Sequence, residues 1–168
     1  MAQPELTLNW EGPYVMKDHV NTNFPGFYCI SSYRNGKPSK LLYIGQSNSG
    51  SIMGRLRQHE DSWFSDYRSV KVHYCVLTRE ELGRLGKKGV LCVENALIYA
   101  YDPERNKGNR FMLRSDMAYN TYLIRNTGNL PKKFEPILDM EKLAEDYFRN
   151  GVRKKKVETK KRDSGWLI

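Results

Sequence analysis

A carboxylate set inside an apolar helical stripe is the most informative single feature of this sequence. Val90, Glu94, Leu97 and Tyr101 fall within about 60° of one another on a helical wheel, so Glu94 sits on the inward side of its helix. Burying an unpaired carboxylate is costly, and Glu94 therefore needs a cation, a metal ion or a proton. Arg55 and His59, four residues apart, share one edge of a second helix. Arg55 carries a permanently charged guanidinium fork, a shape suited to phosphate that a lysine cannot reproduce. Hydrolysis of a phosphodiester needs an attacking water, neutralisation of charge on the phosphoryl oxygens, and stabilisation of the leaving oxygen. Arg55 and Glu94 are residue types that such a reaction uses.

These residues require particular elements to position them. Phe27 to Tyr33 and Leu41 to Ile44 are apolar runs flanking Arg34-Asn35-Gly36-Lys37-Pro38, a pattern that predicts a β-hairpin with positive φ at Asn35 and Gly36. Tyr28 and Tyr43 lie on its two strands. A helix follows, with Ser51 as N-cap and Ile52, Leu56 and Trp63 on one apolar face. Val70 to Leu77 alternates as a strand, and His73 within it has no metal-ligand neighbour and reads as structural. Thr78 to Glu81 forms a capping box that opens a short helix; Gly86 and Gly89 interrupt it before the Glu94 helix, Val90 to Tyr101, which Asp102-Pro103 ends.

Gly26-Phe27-Tyr28 and Tyr43-Ile44-Gly45 resemble the two signature tripeptides of the GIY-YIG nucleases, with Phe27 in place of the usual Ile or Val. Arg55, His59 and Glu94 match that family's arginine, histidine and helical glutamate in order and spacing. Asn106, twelve residues beyond Glu94, matches the asparagine of restriction-type and homing-type members. The resemblance spans roughly residues 24 to 110. It implies catalytic roles for Tyr28, Tyr43, Arg55, His59, Glu94 and Asn106, with Glu94 as ligand to one Mg²⁺ or Mn²⁺ per active site. It also implies that Tyr28 contacts or deprotonates the attacking water. Tyrosine needs positive charge nearby to do that, and Lys40 is the candidate source. An ion pair with Arg55 is the alternative role for Glu94.

The chain has 168 residues, of which 39% are hydrophobic, enough for one core. The expected fold class is α+β, a small, mainly antiparallel sheet flanked by helices. Residues 1–25, with Pro4, Pro13 and Pro25, read as an N-terminal arm packed through Leu6, Leu8, Trp10 and Tyr14. Residues 26–150 read as the nuclease-like domain with a C-terminal helical elaboration: a loop at Asn126 to Pro131 and a helix from Asp139 to Arg149. Residues 151–168 read as a basic tail.

Lys and Arg outnumber Asp and Glu by 28 to 19, and between Arg149 and Arg162 there are eight basic residues and one acidic. Such a run reads either as a solvated tail or as a phosphate-contacting arm, and with the nuclease resemblance DNA is the expected partner. The DNA-contacting candidates are Lys40, Gln46, Ser47, Asn48, Arg57, Arg110, Arg114, Tyr119, Tyr122, Arg125, Lys154, Lys155 and Lys156. Cys29, Cys75 and Cys92 are far apart in apolar runs, which predicts reduced core thiols and a reducing, cytoplasmic setting. Neither a signal peptide nor a membrane span is expected. The expected function is a metal-dependent DNA endonuclease of restriction or mobile-element type. The rivals are a repair or structure-selective nuclease and a binding module of the same fold without useful catalysis. One active site cuts one strand, so a double-strand break calls for a homodimer or two nicks.

Overall fold

In the computed structural model the described residues are 2–18, 22–106 and 120–149. The strands are β1 (Glu5–Tyr14), β2 (Gly26–Arg34), β3 (Lys37–Ser47), β4 (Val70–Val76), β5 (Leu123–Gly128) and β6 (Ile137–Asp139). Helix α1 is Ile52–Trp63, α2 is Arg79–Tyr101, and residues 140–149 form α3. The strands form one six-stranded sheet in the order β3-β2-β4-β1-β5-β6, antiparallel at every junction except β1 with β5. The fold is therefore α+β with a mixed, mostly antiparallel sheet.

β2 is buried along nearly its whole length because both faces of the sheet are covered. Phe27 and Cys29 join the core formed with α2 residues such as Val93, Ala96 and Leu97. Tyr28 and Ile30, pointing the opposite way, pack with Leu42, Val72 and the α1 residues Ile52, Leu56 and Trp63. Gly26 is needed where β2 meets β4, because a β-carbon there would run into the Cys75 carbonyl oxygen. The turn between β2 and β3 has φ of 52° at Asn35 and 74° at Gly36, as the Asn-Gly pair predicts.

Two segments differ from the sequence reading. Residues 5–14 are an interior strand between β4 and β5, with Leu6, Leu8 and Trp10 buried in strict alternation. The alternation exists in the sequence, but its partners β4 and β5 lie about 60 and more than a hundred residues away, beyond the reach of local patterning. Residues 123–128 continue as a strand through the expected loop start at Asn126, parallel to β1 from Glu5↔Leu123 to Trp10↔Gly128. Asn126 tolerates burial there because its side chain accepts from Trp10 Nε1 at 2.9 Å and donates to the Glu135 carbonyl at 2.8 Å.

α2 is kinked at Gly86, whose φ of 60° and ψ of 178° are non-helical, and Thr78 and Glu81 form the expected capping box. Asp102, left-handed at φ 46°, closes it. Among the described residues no helix is long and apolar enough to cross a membrane. Cys29, Cys75 and Cys92 are buried free thiols.

Candidate functional site

The hairpin register sets Tyr28 opposite Gly45 and Tyr43 opposite Ile30. The two tyrosine rings are near-parallel, at 21°, with centroids 6.1 Å apart. Gly45 makes this possible: a β-carbon there would collide with Cζ and Oη of Tyr28 and with the Tyr43 ring. The glycine is thus dictated by a neighbouring side chain and not by an unusual backbone angle.

α1 covers the pair. Ser51 caps it by accepting from the Gly54 amide at 3.0 Å. Its buried residues Ile52, Leu56 and Trp63 anchor the helix and turn His59 toward the sheet. His59 Nε2 is 3.0 Å from Tyr28 Oη, and the Tyr43 ring centroid is 4.4 Å from that of His59. Trp63 Nε1 donates to His59 Nδ1 at 3.1 Å. Burial, aided by the charges of Arg55 and Arg105, holds the His59 pKa below its usual value.

Glu94 enters from α2. Burial raises its carboxyl pKa to about 7, against the opposing pull of the Arg55 charge and of a hydrogen bond from the Gln46 backbone. No Arg55–Glu94 ion pair occurs among the described residues; the exposed Arg55 guanidinium instead donates to Gln58 Oε1 at 3.4 Å. Burial also raises the Tyr28 hydroxyl, with further contributions from Tyr43 and Glu94, and Arg55 opposes the rise. Tyr43 is raised by burial and Glu94, again opposed by Arg55. One guanidinium thus acts on Tyr28, Tyr43, His59 and Glu94 together.

Among the described residues no group of three or more His, Cys, Asp or Glu side chains could enclose a metal ion. The donor set at Glu94 is of another kind. It is a half-buried carboxylate with only partial compensation, next to Gln46, whose side-chain Oε1 is buried without a hydrogen-bond partner. A hard divalent ion that keeps several waters and takes few protein oxygens fits such a site.

The other sequence candidates fall in different places. Asn106 is buried and brackets Ile44: its Oδ1 accepts from the Ile44 amide and its Nδ2 donates to the Ile44 carbonyl, both at 2.9 Å. It holds the strand between Tyr43 and Gly45, and its side-chain hydrogen bonds go to Ile44 rather than to the tyrosine hydroxyls. Lys40 pairs with Glu104 at 3.1 Å and does not figure among the charges acting on Tyr28; Arg55 takes the part expected of Lys40. Ser47 is buried and Asn48 half-buried ahead of α1, and Arg57 is exposed midway along it. Tyr122 packs in the α2 core, on the opposite side of the sheet from Tyr28. Arg125 grips Glu5 through two bonds, at 2.9 and 2.8 Å, on a strand three places from β2. Arg110, Arg114, Tyr119, Lys154, Lys155 and Lys156 lie outside the described residues. His73 is buried with Nδ1 unpartnered, and burial lowers its pKa to about 4, in keeping with a structural side chain.

Sequence reading missed Arg105. Its guanidinium lies 4.5 Å from the centre of the Trp63 ring, bonds Asp66 at 2.6 Å, and donates to Tyr67 Oη at 3.2 Å. Only its adjacency to Asn106 hinted at a role. No protein-family model, curated protein or solved structure matches this chain.

Proposed function

We propose that this protein is a metal-dependent DNA endonuclease, of restriction or mobile-element type, that hydrolyses a phosphodiester by direct attack of water. The observation that supports this most is the convergence of two phenols, an imidazole, a carboxylate and one exposed guanidinium on a single patch of sheet and helix. That set is also the one carried by the GIY-YIG nuclease resemblance.

In this reading Arg55, exposed and without a carboxylate partner, grips the scissile phosphate. Glu94 would hold a single Mg²⁺ or Mn²⁺, which when bound supplies charge neutralisation at the phosphate and the leaving oxygen. Tyr28 contacts the attacking water and, once its hydroxyl has lost its own proton to solvent, takes a proton from that water as the phenolate. Glu94's negative charge is one cause of the raised Tyr28 hydroxyl, so compensating that charge brings Tyr28 closer to ionisation, in the direction in which Arg55 already acts. Tyr43 and His59 line the pocket and orient its oxygens, and Asn106 keeps the β3 backbone in register. The basic residues between Arg149 and Arg162 suit duplex phosphates, and three free buried thiols suit the cytoplasm. A double-strand cut would involve two copies or two successive nicks.

A binding module without useful catalysis is the second reading, favoured by one observation: the Tyr28 hydroxyl is held well above the usual tyrosine range. Supercoiled plasmid incubated with the protein in Mg²⁺ or in EDTA separates the two. Nicking or linearisation in Mg²⁺ alone supports the endonuclease; retention of plasmid without cutting in either supports the binding module.

A further inference from the structure

We propose that Trp63, braced by Arg105, is a positioning residue that fixes which nitrogen of His59 carries the proton and thereby aims a hydrogen bond at the Tyr28 oxygen. The inference rests on the site reading above but not on the reaction assigned to it.

An indole nitrogen can only donate, so the 3.1 Å contact from Trp63 Nε1 makes His59 Nδ1 an acceptor and leaves it without a proton. A neutral imidazole carries one proton, which must then be on Nε2, the nitrogen 3.0 Å from Tyr28 Oη. The bond therefore runs from His59 to Tyr28. The phenol keeps its own hydrogen free to point at a water or a phosphate oxygen. Were the phenol to lose that hydrogen, the same Nε2–H would remain as a donor to the phenolate. With the opposite tautomer, Nε2 would accept from Tyr28 and would have no proton to donate to a phenolate.

Trp63 is itself held. It is buried at the end of α1, the Arg105 guanidinium stacks on its ring at 4.5 Å, and Arg105 is fixed in turn by Asp66 and Tyr67. The residue following Arg105 is Asn106, which clamps Ile44 between Tyr43 and Gly45. One short segment thus braces both the tautomer-setting indole and the strand bearing Tyr43.

The test is ¹⁵N nuclear magnetic resonance of the histidine rings in the full-length wild-type protein and in Trp63→Phe, which keeps an aromatic ring for Arg105 but has no donor. The chain has only three histidines, so single substitutions assign the signals. The expected result is a pure Nε2–H tautomer for His59 in the wild type and a mixture in Trp63→Phe. Single-turnover cleavage should slow by about 10- to 100-fold, the range for losing an orienting partner, with DNA affinity unchanged. An Nδ1–H tautomer in the wild type overturns the proposal, and that spectrum decides the matter even if Trp63→Phe fails to fold. So does a Trp63→Phe protein that keeps the pure Nε2–H tautomer. If the tautomer depends on Trp63 but no DNA is cut by either protein, the positioning role stands and the nuclease reading falls.

Discussion

The ring of Tyr28 lies across Gly45, its partner in the hairpin register, so closely that no β-carbon fits between them. Gly45→Ala should therefore displace the Tyr28 hydroxyl from His59 without any conflict with the backbone angle. Overpacking of this kind costs about 1–3 kcal/mol, and an ångström-scale misplacement of a reacting group costs about 10²-fold in rate. Thermal melting and single-turnover cleavage check both. A variant with wild-type melting and wild-type rate would mean that the ring has room to move and that its position does not matter.

Arg55→Lys keeps the charge but loses the fork. The expected loss is about 10²–10³ in single-turnover rate, the scale for removing one charge-stabilising group. A rate within tenfold of wild type would reduce Arg55 to a point charge acting on its neighbours.

Asn106→Ala leaves the amide and the carbonyl of Ile44 without their side-chain partner. Each buried unsatisfied group costs about 1–3 kcal/mol, so a clear fall in melting temperature is expected. The loss of cleavage should follow from the loosened strand, and cooling well below the new melting point should restore a good part of it. A full catalytic loss with unchanged stability would instead put Asn106 in contact with substrate.

Glu94 links stability to pH with a definite sign. Its pKa rises from an ordinary 4.5 to about 7 in the folded protein, so between those values the native state holds a proton that the unfolded chain has released. Unfolding then releases protons, and stability falls as pH rises through that window. Melting curves of the metal-free protein from pH 4.5 to 7 should show a downward contribution that Glu94→Gln lacks. Identical pH slopes for the two proteins would refute the raised carboxyl.

Much of this arrangement was legible in the sequence where the signals are local. The Asn35-Gly36 turn, the Ser51 cap, the Thr78–Glu81 capping box and the inward face of α1 each depend on residues within one or two turns of chain. The pairing of β1 with β5 was not legible, because it joins residues more than a hundred apart in sequence. The same limit explains the site. Tyr28, Tyr43, Arg55, His59 and Glu94 could be named through the resemblance that their motifs carry. The Arg105–Trp63 stack and the Lys40–Glu104 pair, by contrast, depend on which way the 102–106 segment runs along the β3 edge, where the Glu104 and Arg105 amides bond Leu41 and Leu42.

The most direct test of the central claim is cleavage and binding of one defined DNA duplex by wild type and Glu94→Gln, in Mg²⁺ and in EDTA. The account predicts cutting by wild type in Mg²⁺ only, no cutting by Glu94→Gln, and duplex affinities for the two proteins within a few-fold. Glu94→Gln cutting at the wild-type rate in Mg²⁺ would contradict the metal-ligand assignment, and wild type binding duplex without cutting it in Mg²⁺ would contradict the endonuclease.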